Sequence, residues 1–421
     1  MRPLRAVTGL PSYLLAATSA RIGDEMVGVA AVLLVLERTG SPRLAGAVAG
    51  AYLVPTVLSG PVLGAWLDRT RYRRAALAAN QVLLAVAMSA LVVVVGSAPG
   101  WTAPVLASLV GLSVPMTSGG FTSLLPRFVP AGVLGRVHAL EGISFNASAI
   151  LGPAVAATVA VAVSPAAAVL TIAGFAAVSL AALPGVPRTS GRGTGWQRGI
   201  VRSVRDGIAH LARTPELRSV TLATSSAFVG VGMLTVALPL RAGELAGDAA
   251  LGGYVWAAIE AGAVVGALAW GRWHALWRPE RVVLVAVAGY GAVMLSWPAA
   301  PALTWLIALA AVAGLANGAG MPALFTARQR YTPGELYGQL STTGASLKLG
   351  AFAAGAALGG QLVPAIGAGT VLFVVAVIQL VAAGLGRLAA GSRHRRATGP
   401  GCRTSPRADR RSARPVHRPG P

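Results

Sequence analysis

Apolar residues run along this chain in twelve stretches of membrane-crossing length, broken by short segments rich in arginine, glycine and proline. The stretches fall at 11–36, 43–67, 75–96, 102–126, 138–161, 165–186, 219–240, 250–271, 281–298, 302–326, 338–362 and 367–390. A hydrocarbon core of roughly 30 Å needs about 20 apolar helical residues to cross it. A soluble protein has no reason to repeat that length twelve times. The pattern predicts an all-α integral membrane protein with twelve transmembrane helices.

The polar breaks carry a second signal. Those after helices 2, 4, 6, 8 and 10 hold Arg69, Arg71, Arg73 and Arg74, then Arg127 and Arg136, then seven arginines from Arg188 to Arg218, then Arg272, Arg278 and Arg281, then Arg328 and Arg330. The opposite breaks hold only Arg38, Arg43 and Arg241, offset by Glu37, Glu244 and Asp248. Arginine crowding on one side marks cytoplasmic loops, which places both termini in the cytoplasm of a cell whose plasma membrane the chain spans. The formal charge of +22 is thereby a topology signal with some attraction to anionic lipid, and no nucleic-acid partner is expected. The first apolar run is too long for a secretory leader and ends in Glu37-Arg38 rather than a small-residue cleavage site, so it is expected to be retained. The single cysteine, Cys402, rules out a disulfide framework. The five histidines show no ligand spacing, so no metal or other cofactor is expected.

The chain also contains itself twice. Ser19-Ala20, Gly23 and Met26 recur as Ser226-Ala227, Gly230 and Met233, and the same offset carries Gly46 to Gly253 and Gly64 to Gly271. Arg127-Phe-Val-Pro130 with Gly135 recurs as Arg330-Tyr-Thr-Pro333 with Gly338, and that offset carries Gly152 to Gly355 and Ala156-Ala157 to Gly359-Gly360. The expected organisation is an N-terminal six-helix half over 1–186 and a C-terminal half over 218–390, related by an axis along the membrane normal. Between them, 187–217 forms a linker whose segment IVRSVRDGIAHLAR suits a surface-lying amphipathic helix. The stretch 391–421, with nine arginines and few apolar residues, is expected to be a disordered cytoplasmic tail. Repeats of this kind place a substrate site between the halves near the midplane.

Ionisable side chains at membrane depth are costly and normally face a cavity or a partner. Helix 1 holds Arg21, Asp24 and Glu25; helix 8 holds Glu260; helix 11 holds Lys348. Arg21 can pair locally with Asp24 or Glu25, leaving one surplus carboxylate suited to proton handling. Glu260 either pairs with Lys348 or serves as a proton or cation site, and Lys348 either neutralises a carboxylate or holds an anionic substrate group. Glu141 and Asn146 begin helix 5. Glu141 is expected near the cytoplasmic surface as a solvated or gate residue, and Asn146 either faces the cavity or bonds a neighbouring helix. The stripe Ser148, Gly152, Pro153, Ala156 and Ala157 fits close helix packing or a rocking contact.

At these residues the chain resembles the major facilitator superfamily. The loop segment GAWLDRTRYRR, with Gly64, Asp68, Arg69, Arg73 and Arg74, is similar to its signature G-x-L-x-D-R-x-G-R-[KR]-R, with Arg71 standing where glycine is usual. The second-half copy keeps Gly271 and Arg272 and has Ala275 for the aspartate. The Gly152-Pro153 stripe resembles the antiporter motif of drug exporters. SARIGDEM, ERTGSP and Pro55 resemble the branch of macrolide-efflux and siderophore-exporter-like proteins. The likeness implies a gate latched by Gly64, Asp68, Arg69 and Arg73, with Gly152 and Pro153 as a second gating element. It also implies proton-driven export of small amphipathic molecules such as drugs or secondary metabolites, by a monomer working through alternating access. The arginine that many drug–proton antiporters carry inside helix 4 has no counterpart here, so helix 1 and Glu260 must carry any coupling. Trp256, Phe145, Phe228 and Met233 are candidate apolar contacts for substrate. An uptake symporter and a non-transporting receptor or assembly factor are the alternatives. No nucleotide-binding loop is present, and no nucleophile–base set suggests an enzyme.

Overall fold

The computed structural model describes residues 7–70, 72–187, 209–274, 277–332 and 334–391. The first half comprises α1 (Leu10–Thr39), α2 (Pro42–Arg69), α3 (Arg73–Val94), α4 (Thr102–Gly111, followed by a π-helical turn over Met116–Gly120), α5 (Ala131–Ala162) and α6 (Pro165–Ala182). The second comprises α7 (Pro215–Ala246), α8 (Gly252–His274), α9 (Pro279–Met294), α10 (Leu303–Asn317, resuming as Gly320–Tyr331), α11 (Gly334–Ile366) and α12 (Ala368–Gly391). Ten of these, with their short extensions, are long and apolar enough to cross a membrane. α1 and α2 are equally long at 30 and 28 residues, and α1 carries five charged side chains within its length. Several expected boundaries shift. α7 starts at Pro215 rather than near 219, and α5 starts at Ala131 rather than 138, so Glu141 lies well inside a helix. The expected linker helix falls mostly outside the described residues, as does the tail beyond Gly391.

Local chemistry sets the ends. Pro11, Pro165, Pro215 and Pro279 sit in first turns, where a missing N–H has no helical bond to lose. Ser164 caps α6 by accepting from the Ala167 N–H at 3.1 Å. Gly40 and Gly247, one repeat apart, close α1 and α7 with φ of 61° and 79°, a left-handed geometry that glycine adopts without strain.

The duplication is visible in the packing. α1 lies against α5 and α6 as α7 lies against α11 and α12; α2 packs on α4 as α8 packs on α10; α3 packs on α6 as α9 packs on α12. The halves meet chiefly along α2–α11 and α5–α8, and glycine lines both seams. A Cβ on Gly46 would lie 2.6 Å from the Ala356 carbonyl oxygen, and one on Gly253 would lie 2.7 Å from that of Pro153. Ala356 and Pro153 are themselves repeat mates, as are Gly360 and Ala157 beside them. In a bilayer, lipid tails are as apolar as leucine, so helices associate by close packing that small residues allow. Gly253→Val is therefore expected to cost about 1–3 kcal/mol by overpacking. It should lower the thermal unfolding midpoint and impair transport, whereas Gly28→Ala, where a Cβ meets nothing within 4 Å, should leave both unchanged.

Both α4 and α10 are interrupted midway. In α4 the cause is Pro115, which has no N–H to give the Gly111 carbonyl four residues back. Thr56 of α2 supplies the missing donor, its hydroxyl bonding the Gly111 oxygen at 2.8 Å. Broken helices at membrane depth are tolerated where a neighbour satisfies the freed group.

Candidate functional site

Side chains of a helix lean toward its N-terminus, so Arg21 reaches back along α1 toward Tyr13 instead of forward to Asp24 and Glu25. There it meets Glu141 of α5. Arg21 Nη2 donates to Glu141 Oε1 at 2.7 Å, and Nη1 donates to Ser144 Oγ at 3.2 Å. The Tyr13 and Thr122 hydroxyls donate to the same Oε1, each at 2.7 Å. The guanidinium carbon stacks 3.7 Å from the centre of the Phe145 ring. His138 Nδ1 stands 3.3 Å from Glu141 Oε2. The ion pair is enclosed, with side-chain exposures of 3% for Arg21 and 4% for Glu141. Arg21 thus pairs across helices and not with a neighbour on its own helix, and of the two readings of Glu141 the enclosed pair removes the solvated one and leaves the gate.

That pairing changes the charge balance of the interior. Asp24, Glu25 and Glu260 have no ion-pair partner among the described residues. Asp24 Oδ1 accepts from the Tyr52 hydroxyl of α2 at 3.0 Å. Glu25 lies against α5, where a Cβ on Gly152 would meet the Glu25 Cβ at 2.5 Å. Glu260 lies on α8 of the other half, which packs against the same α5. The three acids thus sit on α1 and α8, two helices that both pack on α5 at the boundary between the halves.

Lys348 is elsewhere. Its ammonium lies 4.7 Å from the centre of the Phe228 ring on α7 and 3.7 Å from Met321 Sδ on α10. No ion pair to Glu260 forms among the described residues. Asn146 is exposed and makes no side-chain hydrogen bond among those residues. Gly152 and Pro153 occupy different contacts, Gly152 against α1 and Pro153 against Gly253 of α8. Arg73 is buried, whereas the surroundings of Gly64 and the side chains of Asp68 and Arg69 lie outside what the structure describes. Met233, a candidate substrate contact, is buried in the apolar core of the second half, while Trp256 packs against the cores of both halves. The residues that sequence reasoning missed are Tyr13, Tyr52, Thr122 and Ser144. Tyrosine inside an apolar helix is the one available hint, because a buried hydroxyl needs a partner. The described residues bring together no group of three histidine, cysteine, aspartate or glutamate side chains able to hold a metal.

Known proteins share this architecture. A solved nucleoside transporter, NupG, superposes with a TM-score of 0.75 at 10% identity, covering 90% of this chain and 99% of that one. A bacterial homologue of the human lysosomal transporter Spinster, solved inward-facing and unoccupied, gives 0.70 at 14% identity over 95% and 100% of the two chains. At such identities the likeness concerns the fold. In sequence, an uncharacterised transporter of the same type, y4rN of Sinorhizobium fredii, is 29% identical over 375 residues, covering 86% of this chain and 90% of that one. The pattern of the Major Facilitator Superfamily matches residues 13–222 and 220–417, and the chain belongs to that superfamily: it is a multi-pass membrane protein that works as a secondary transporter and not as an enzyme.

Proposed function

We propose that the protein exports small amphipathic molecules bearing a basic group, in exchange for protons, through a cavity between the two halves. The observation that carries this reading is the engagement of Arg21 by Glu141, which leaves Asp24, Glu25 and Glu260 without a cation of their own among the described residues. Glu25 and Glu260 come from opposite halves, on α1 and α8, which both pack on α5, and like charges there repel. A proton, or the ammonium of a substrate, relieves that repulsion, so the two compete for one place. Competition between proton and solute for shared carboxylates is the physical requirement of antiport. Alternating access then needs a hinge and two gates. The glycine seams at Gly46, Gly50, Gly253 and Gly360 support one gate, and Gly64, Asp68, Arg69 and Arg73 are proposed as the other, on the arginine-rich, cytoplasmic side. The working unit is a monomer in the cell membrane with both termini inside.

Inside-out vesicles, acid within and containing a pH-sensitive dye, test the reading. Macrolides, cationic dyes and siderophores are added outside in turn. Substrate-triggered loss of the gradient, absent from vesicles lacking the protein, is the expected outcome. A gradient that instead collapses only when solute and protons move in the same direction would replace export with uptake symport.

A further inference from the structure

The two halves carry the same cation–π contact with its partners exchanged. Arg21 of α1 stacks on Phe145 of α5 in the first half. Their repeat mates are Phe228 of α7 and Lys348 of α11, and these also stack, the ammonium 4.7 Å from the ring centre. The rest of the arrangement is not repeated. Glu141 and Ser144, which complete Arg21, correspond to Gly344 and Leu347. Tyr13, which helps hold Glu141, corresponds to Val220. The second half thus keeps the buried cation and drops its built-in counter-ion.

Lys348 is 8% exposed, and its hydrogen-bonding contact among the described residues is a thioether, Met321 Sδ at 3.7 Å. A thioether is a weak acceptor, and an ammonium offers three donors. Arg328, also buried, packs against Gly344 of α11, the helix that carries Lys348. Burying a cation with so little compensation is costly, and a negative group from outside the chain is the natural complement. Met321 is 41% exposed, so only one side chain separates the ammonium from the surface of the bundle.

We infer that Lys348 is an anion subsite of the transport cavity, taking a carboxylate or phosphate of the solute between α7, α10 and α11. This rests on the carboxylate site proposed above, because the two together define an amphoteric substrate. Its basic end goes to Glu25 and Glu260, and its acidic end goes to Lys348. A purely cationic amphiphile fills only half of that site.

Three probes of matched chain length separate the two ends: octanoate, octylammonium and 8-aminooctanoate. Thermal unfolding of the full chain is followed in phosphatidylcholine nanodiscs as each is titrated. Octanoate and 8-aminooctanoate are expected to stabilise the wild type, and Lys348→Met to weaken both about tenfold by removing a charged hydrogen bond, with Lys348→Arg retaining them. Octylammonium should be unaffected by Lys348→Met and weakened by Glu260→Gln. That last arm alone tests the carboxylate site, so the two readings fail separately. Absence of stabilisation by both acids, or equal stabilisation of wild type and Lys348→Met, overturns the anion subsite. Loss of the octanoate effect when phosphatidylglycerol is added would assign Lys348 to a lipid headgroup and overturn it as a substrate contact.

Discussion

Glu260→Gln is expected to abolish substrate-triggered proton movement while leaving the protein folded and membrane-inserted. Glutamine keeps the size and one acceptor oxygen of the side chain but can neither release a proton nor offer a negative charge. Loss of a charge-assisted hydrogen bond to a solute ammonium is worth about 1.5–3 kcal/mol, or roughly 10–150-fold in affinity. Glu260 makes no ion pair among the described residues, so its neutralisation strands no buried cation there, and the unfolding midpoint should hold or rise. Asp24→Asn provides the comparison. Asp24 is tied to Tyr52 by a hydrogen bond of 3.0 Å, which an asparagine oxygen also accepts, so a smaller loss is expected. Dye-reported proton flux and cation binding, measured in parallel on both variants, distinguish the roles. Wild-type flux in Glu260→Gln would remove this acid from the coupling site.

Glu141→Ala should have the largest effect on stability. A single oxygen of Glu141 receives Tyr13, Thr122 and Arg21 at 2.7 Å each. Truncation leaves a buried guanidinium without its counter-charge and two hydroxyls without their acceptor. Breaking a buried pair from one side costs about 3–5 kcal/mol, because the surviving charge is uncompensated. Glu141→Gln keeps an acceptor and should lose less. Replacing both partners, Arg21→Met with Glu141→Leu, should recover part of the loss, since no charge is then stranded. The midpoint of thermal unfolding in detergent, followed by tryptophan fluorescence, measures all four proteins. An alanine variant as stable as the wild type would contradict a structural role for the pair and point to a movable gate contact.

The Arg21–Glu141 pair also marks where sequence reasoning stops. Spacing along α1 allows Arg21 to meet Asp24 or Glu25, and i to i+4 contacts are all that a single helix reveals. A partner 120 residues away depends on how α1 packs against α5 and on the backward lean of the side chain. The same holds for Tyr52 and Asp24, and for the thioether and ring that receive Lys348 in place of Glu260. Glu141 was further obscured by its helix, which begins at Ala131, earlier than the apolar run suggests. The first turns of α5 are interrupted by Gly132, Gly135, Arg136 and His138, which break the apolar run without ending the helix.

What the chain's order of residues determined was whatever depends on solvent preference and local geometry. Helix number and span follow from apolar length against the thickness of a bilayer. The duplication follows from matched glycine and proline positions, which the structure reproduces in the left-handed caps at Gly40 and Gly247 and in the paired seams of Gly46 and Gly253. The identity of the charged residues at membrane depth was equally legible, because their cost in hydrocarbon makes them rare. Tertiary structure alone decided which charges cancel. Electrostatic pairing falls off with distance in space and not along the chain, so only the packed bundle could assign Arg21 to Glu141, leave three acids without an ion pair among the described residues, and set Lys348 against Phe228.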